Sequence, residues 1–503
     1  MLILVLFLHV SYFSTSGQKS PKIVIVGAGL AGVGAANKLV KQGFTDVQII
    51  EAFSQPGGRI KGSLFGKLVV DEGPQFIHGA SMDNPIFQLA KEHGLLEAFM
   101  PIDNIVVYSS TQEQLNPEFA SQMWELGSNI TYRAHLLAKE KGYEMVKSLL
   151  DAYVSEVSKL KAAWSNDPVD LINQKLGMLN MVLKSLSVDY AVHSLADVSV
   201  HSNEEQYMEG GDCNSLGLYL KLIAKLLEPI PQERLLLGKP VKQIMWNGNF
   251  QSEDGTGYPV RVQCEDGDQI LADHVIVTVS LGCLKENAQS LFHPNLPEKK
   301  LHAIQSIGFG TTNKIYFEYE EPFWPENISE IGLHWQDESP LIALKSNIAE
   351  WWRCLCLFNL LQPAERYGNV LVAWVSGREA KFVETLSAEE LGSTITMLLR
   401  NFTGRPSLPE PKRVLVTKWF TNPYTRGSYS YMSVNSSSAM VDTLAEPLPQ
   451  GGSENSTQAL QVLFAGEATH RSFHSTTHGA LLSGWREAER LIHQYATAEE
   501  EFS

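Results

Sequence analysis

The chain has 503 residues, 44% of them hydrophobic, with 56 acidic against 40 basic side chains and a formal net charge of −16. This is too long for one core and predicts a globular chain of two lobes. The acidic balance excludes a nucleic-acid binder, which needs concentrated Lys and Arg, and it suits a cationic substrate. Five cysteines (Cys213, Cys264, Cys283, Cys354, Cys356) are odd in number and lack CxxC spacing, so neither a disulfide framework nor a metal site is expected. Cys354 and Cys356 alternate in a strand-like apolar run.

Residues 1–17, MLILVLFLHVSYFSTSG, read as a cleavable signal peptide, too short to span a bilayer. With sequons at Asn129, Asn327, Asn401, Asn435 and Asn455, this predicts secretion, with a cytoplasmic or peroxisomal location as the alternative. IVIVGAGLAGVGAANKL follows. Ile23–Val26 forms a β-branched run suited to a parallel sheet covered on both faces. After it, Gly27 permits the tight turn, Gly29 lets a pyrophosphate approach the main chain, and Gly32 allows close helix-on-strand packing. The helix start then presents free N–H groups and a positive dipole end. DVQIIE supplies a second strand ending in Glu51, a carboxylate placed to accept from ribose hydroxyls, and Gly57-Gly58-Arg59 adds a close approach and a fixed cation. These residues indicate a dinucleotide and leave NAD and FAD open.

The extended pattern GAGLAG through E-x5-GGR resembles the N-terminal signature of the flavin amine oxidase superfamily, whose cofactor is FAD. The resemblance assigns cofactor contacts to Ala31, Glu51 and Arg59. GPQFIHG is similar to the animal polyamine oxidase segment whose histidine lines the amine channel. It implies an amine-facing role for His78 and backbone contacts from Gln75 and Phe76 to the flavin.

Residues 80–230 carry apolar residues at helical spacing in NPIFQLAKEHGLL, in ITYRAHLLAKEKGYEMVKSLLDAYVSEVSKLKAAW and in LINQKLGMLNMVLKSLSVDYAVH. EGGDCNS offers Glu209 and Asp212 as carboxylates for a distal ammonium. KPVKQIMWNG, by the same resemblance, places Val241 at the adenine, and HVIVTVSLGCLK returns as a strand. In GFGTTNKIYFEYEEPFWP, Lys314 heads a strand with Tyr316 and Glu318 on the same side. The family's GFG-x3-K lysine holds a water at flavin N5, which gives Lys314 its expected catalytic role, and Asn313 beside it is expected at the substrate. KWFTNPYTRGSYSY contributes Trp419, Phe420, Tyr424, Tyr429 and Tyr431 near the flavin.

VLFA, GEATH and HSTTHGALLSGWREAERL close the chain. From Gly479 onward Leu482, Trp485, Ala488, Leu491, Ile492 and Tyr495 recur at helical spacing, so a long helix packs one face inward, and its start, Ser475-Thr476-Thr477-His478, is rich in capping residues. The resemblance to the C-terminal flavin motif of animal polyamine oxidases gives Glu467, Thr476 and Thr477 to the cofactor, with helix-start amides facing the charge that reduction brings. No cysteine stands in that motif, so FAD is expected to be non-covalent. His474 occupies a position where the pattern carries a tyrosine of the amine cage.

The reading is therefore an α/β chain with a two-lobed arrangement. A Rossmann-like FAD-binding domain (residues 21–80, 234–300 and 440–495) is interleaved with an α+β amine-oxidase substrate domain (81–233 and 301–439). The whole resembles the flavin-containing polyamine oxidases, first the N1-acetylpolyamine oxidase branch and then spermine oxidase. This implies a monomer that oxidises a secondary amine of a polyamine with O2, releasing an aldehyde, a shorter amine and hydrogen peroxide, without nucleic acid, metal or membrane insertion. Mammalian acetylpolyamine oxidases end in a peroxisomal tripeptide where this chain ends Glu-Phe-Ser, which speaks against that import route. An L-amino-acid or monoamine-type oxidase, or a flavin-binding protein without turnover, are the alternatives.

Overall fold

A computed structural model describes residues 20–96, 104–140, 147–200, 208–214, 216–338, 347–449 and 460–500. In chain order, the elements that frame the site are β1 (Ile23–Val26), α1 (Leu30–Lys41), β2 (Val47–Ile50), α2 (Val169–Asp189), β3 (Leu235–Leu236) and β4 (His274–Val277). They are followed by β5 (Thr312–Glu318), β6 (Glu330–His334), β7 (Leu357–Leu360), β8 (Val370–Ser376), β9 (Val462–Phe464) and α3 (Thr477–Glu500). The 1–17 run lies outside the described residues. No described helix is long and apolar enough to cross a membrane.

The first sheet has five strands in the order β9-β4-β1-β2-β3, all parallel. Both faces are covered, which is why β1 is apolar at every position. Ile23 and Ile25 pack into a cluster with α1 and α3, whereas Val24 and Val26 pack on the other face with Leu284 and Leu444. The helices α1 and α3 approach closely because small residues meet: a Cβ on Gly484 would lie 2.1 Å from the Ala31 carbonyl oxygen. The inward residue of α3 is Leu481, fully buried, and the expected Leu482 is only half-buried, a one-position shift in the helix face.

The second large sheet has six strands, in the order Arg413–Val416, β5, β8, β7, β6, Ile105–Ser109, antiparallel except for the last pair. Its hidden face carries Ile315, Phe317, Phe358 and Val375 beneath the helix Ala388–Thr403. The central helical stretch divides into Pro117–Glu140, Leu149–Ala163 and α2. Cys354 ends a short 3-10 helix and β7 starts at Leu357, so the cysteine pair stands at a helix-to-strand junction rather than within a strand. None of the five cysteines is joined in a disulfide.

Candidate active site

A cavity of about 1410 Å³ runs from the carboxyl ends of β1 and β2 to the exposed face of β5 and β8. Ligands of parallel sheets bind outside the strand carboxyl ends, where neighbouring connections diverge, and β1 between β2 and β4 is such a place. Gly27 takes φ +112°, and a Cβ there would strike Thr278 Oγ1 at 2.4 Å. Gly29 lines the cavity, and a Cβ on it would meet nothing nearer than the Gly57 carbonyl oxygen at 3.9 Å, so its bareness leaves room for a ligand. Gly32 faces inward instead: its Cβ would sit 2.0 Å from the Gly27 carbonyl oxygen, so it serves packing and does not line the cavity. Ala31 and Val241 line it.

Glu51 directly follows β2 and accepts from the Ala28 N–H at 2.6 Å and the Phe53 N–H at 2.8 Å. Burial pushes its carboxyl above the usual value, against those two bonds. Each oxygen keeps a lone pair for a hydroxyl in the cavity. Arg59 does more than stand near a phosphate. Its Nη1 donates to Glu467 Oε1 at 2.8 Å and to the Ser428 carbonyl at 2.8 Å, joining motifs from the two ends of the chain. Glu467 Oε2 accepts from Ser430 Oγ at 2.5 Å and the Ser475 N–H at 2.8 Å. Burial alone raises the Glu467 carboxyl, but the Arg59 charge and these bonds outweigh it and hold it below the ordinary value.

Thr476 caps α3: Oγ1 accepts from the Gly479 N–H at 3.0 Å and donates to the Phe473 carbonyl at 2.7 Å. The Tyr219 hydroxyl donates to the Phe76 carbonyl at 2.7 Å and lies 3.0 Å from Thr477 Oγ1, which therefore supplies the proton of that contact. This ties the helix start to the backbone at Phe76. First-turn N–H groups have no partner within a helix, so α3 offers amides to whatever lies against it.

Lys314, on β5, reaches the same space from the opposite wall. Nζ donates to the carbonyls of Asp71 (2.9 Å) and Gly73 (2.7 Å) and to Gln75 Oε1 (3.2 Å), and it lies 4.6 Å from the centroid of the Trp374 ring. Burial brings it down to about 7, against the pull of Asp71 and Glu72. Tyr316, two residues on, donates to the same Asp71 carbonyl at 2.6 Å, as strand alternation requires. Alternation also removes Asn313 from the cavity. Its Nδ2 donates to the Ala380 carbonyl and Glu384, its Oδ1 accepts from Thr417 Oγ1, and it is fully buried on the other face of β5.

His78 follows a short strand, Phe76–Ile77, that pairs with Cys213–Asn214, and this pairing brings up Asp212. Nδ1 lies 2.8 Å from Asp212 Oδ2, and the imidazole, with 60% of its surface exposed, lines the cavity. The bond from Asp212 raises the imidazole above its usual value, with burial opposing and the charges of Asp212 and Asp189 adding to the rise. Glu209 stands outside the lining and Asp212 within it. His474, buried, lines the wall, as do Gln75, Phe76, Trp419, Tyr424 and Tyr429, whereas Phe420 and Tyr431 do not.

Four lining residues had no motif to announce them: Asp189, Glu330, Asn359 and Trp374. Asp189 alone carried a local signal, since a carboxylate in the last turn of a helix opposes the dipole and needs another reason to be there. Among the described residues, no group of His, Cys, Asp and Glu is arranged to hold a metal.

The sequence model of flavin containing amine oxidoreductases matches residues 30–492. A human peroxisomal N(1)-acetyl-spermine/spermidine oxidase is 41% identical over 496 residues, 95% of this chain and 96% of the human one. Its bovine counterpart is 39% identical over 494 residues, 94% and 95% of the two chains. A probable polyamine oxidase 5 of Arabidopsis thaliana is 30% identical over 550 residues, 95% and 99%. With the dinucleotide turn, the capped α3 and Lys314 around one cavity, and with matches over nearly its whole length, the chain belongs to the family of flavin-containing amine oxidoreductases, and its cofactor is FAD.

Proposed function

We propose that the chain is an FAD-dependent polyamine oxidase that cleaves a secondary amine of an N-acetylated polyamine, or of spermine, to an aldehyde and a shorter amine with release of hydrogen peroxide. One observation carries the reading. A single cavity joins the Gly27–Gly29 turn, the start of α3, Lys314 and the His78–Asp212 pair. The names of the mammalian relatives support it, and the residues present fit the cofactor, because Gly29 leaves open space where a side chain would intrude.

The Gly27–Gly29 turn, Glu51 and the start of α3 would hold FAD without a covalent link, and the group would supply the acceptor for hydride from the carbon beside nitrogen, with O2 as the final electron acceptor. The chain's own residues bind and orient. The amides at the start of α3 stabilise negative charge against them. Lys314 is held by three acceptors at a fixed point on the wall, and at about 7 it can give or take a proton at Nζ near neutral pH. His78 and Asp212 receive the amine. Only neutral nitrogen can push hydride from its neighbour, so His78 accepts the amine proton once its own, retained to higher pH by Asp212, has left. Water then hydrolyses the imine product.

The rival carboxylate-bearing substrate finds no unpaired arginine among the described lining residues. Of the two arginines lining the cavity, Arg59 is paired with Glu467 and Arg426 with Glu286. The two-domain division is supported by strand membership: every strand of the parallel sheet falls within 21–80, 234–300 or 440–495, and every strand of the six-stranded sheet within 81–233 or 301–439. For location, the peroxisomal relatives favour the intracellular alternative over secretion. The test is peroxide production by the purified, visibly yellow protein with acetylspermine, acetylspermidine, spermine and a monoamine in parallel. Colourless protein, or oxidation of the monoamine alone, refutes the reading.

A further inference from the structure

The sheet face that carries Lys314 does not end there. β5, β8, β7 and β6 are consecutive strands, with Lys314 opposite Trp374 and Glu330 opposite Asn359. Side chains follow the same path. The Trp374 ring lies under Lys314 Nζ, its Nε1 donates to Asn359 Oδ1 at 2.8 Å, and Asn359 Nδ2 donates to Glu330 Oε1 at 2.7 Å. Glu330 Oε2 has no hydrogen-bond partner among the described residues. All four residues line the cavity. Three strand spacings separate Lys314 from Glu330, ~14 Å across the sheet, which is the reach of an oligoamine arm with two spacers.

A second carboxylate stands nearer the His78 end. Asp189 closes α2, lines the same cavity, and makes no hydrogen bond or ion pair with any described residue. The residue is exposed and lines the cavity. Protein crowds its remaining sides, and that burial raises the carboxyl to about 6. Cys356 lines the same cavity, and its thiol feels the charges of both Asp189 and Glu330. The cation it also feels, Lys184, lies 2.5 Å from Glu338 and is already compensated. Glu330 has no counter-charge among the described residues, and the imidazole whose charge Asp189 feels, that of His78, is already bonded to Asp212, so both carboxylates are open to an entering cation.

We propose that Asp189 and Glu330 form an acidic track for the cationic arm of the substrate, Asp189 meeting the inner ammonium and Glu330 the terminal one. The track favours an acetylated tetraamine over an acetylated triamine, whose arm is one spacer shorter. This rests on the polyamine oxidase reading above. The orienting role of Asn359 and Trp374 follows from their bonds.

Glu330→Gln keeps an oxygen for the Asn359 bond and removes only the charge, so the fold and bound FAD should be retained. Steady-state kinetics with acetylspermine and acetylspermidine, and calorimetric binding of both amines to the oxidised holoenzyme, give the readouts. We expect KM and Kd for acetylspermine to rise ~10- to 100-fold, the worth of one charge-assisted contact, with acetylspermidine within twofold and the flavin spectrum unchanged. Asp189→Asn should weaken both amines. Equal effects of Glu330→Gln on the two amines, or none, overturn the track. Wild-type protein that oxidises neither amine overturns the enzyme reading instead, and the binding comparison still decides the track.

Discussion

Replacing Lys314 by Met separates two forces that act on the same ammonium. Burial brings Lys314 from 10.5 to about 7, and folding with this group at neutral pH costs on the order of 4 kcal/mol relative to a solvated lysine. Methionine removes that cost. It also strips the donors from Gly73 O and Gln75 Oε1, while Asp71 O keeps its bond from Tyr316. Each lost partner is worth roughly 1–3 kcal/mol. The two effects nearly cancel at pH 7, so Tm should move by only a few degrees. The pH dependence does not cancel. With its folded value below its unfolded one, Lys314 binds fewer protons in the native state between pH 7 and 10.5, so its contribution to stability rises with pH by up to ~1.4 kcal/mol per unit. Urea unfolding of the wild type and Lys314→Met at pH 7, 8 and 9 should show their difference growing by ~2 kcal/mol across the series. A flat difference would mean that the three acceptors hold the ammonium charged throughout, and the burial argument would fall. In stopped-flow, FAD should remain bound while flavin reduction or reoxidation slows by ~10²–10⁴-fold, the range of a lost proton-transfer group. Unchanged rates in both half-reactions remove Lys314 from the mechanism.

Asp212→Asn should lower the His78 value and move the acid limb of the kcat/KM profile to lower pH; a limb that stays put belongs to the substrate nitrogen instead. Arg59→Met leaves Glu467, with 6% of its side chain exposed, uncompensated. The expected loss is ~3–5 kcal/mol with weaker FAD retention, partly recovered by Glu467→Gln in a double-variant cycle of thermal melts. Gly484→Ala drives a Cβ toward the Ala31 carbonyl oxygen, 2.1 Å away. Separating α1 from α3 should cost ~1–3 kcal/mol and raise the Kd for FAD, whereas an unchanged melt would refute the close approach.

Much of the site was legible because its residues are local in sequence. Gly27, Glu51 and the Thr476 cap each belong to a short run whose spacing already states its backbone geometry. Lys314 and Tyr316 could be assigned one face by alternation, and the same rule sends Asn313 to the other, so that expectation conflicted with its own strand. Glu330 and Trp374 were invisible for another reason. They share a sheet face with Lys314 only through the strand order β5-β8-β7-β6, which no pattern within one segment encodes. Arg59 was legible as a cation, but its carboxylate lies 408 residues away, so its structural role needed the fold.

That long-range pairing bears on biosynthesis. The strand β9, the cap of α3 and Glu467 all come from the last part of the described chain, yet they complete the pocket begun by β1 and α1. As the polypeptide leaves the ribosome, the glycine turn emerges first and must wait, its apolar helix face uncovered, until more than four hundred further residues have been made. The complete flavin pocket thus forms only after β9 has been made, so its assembly comes late in synthesis.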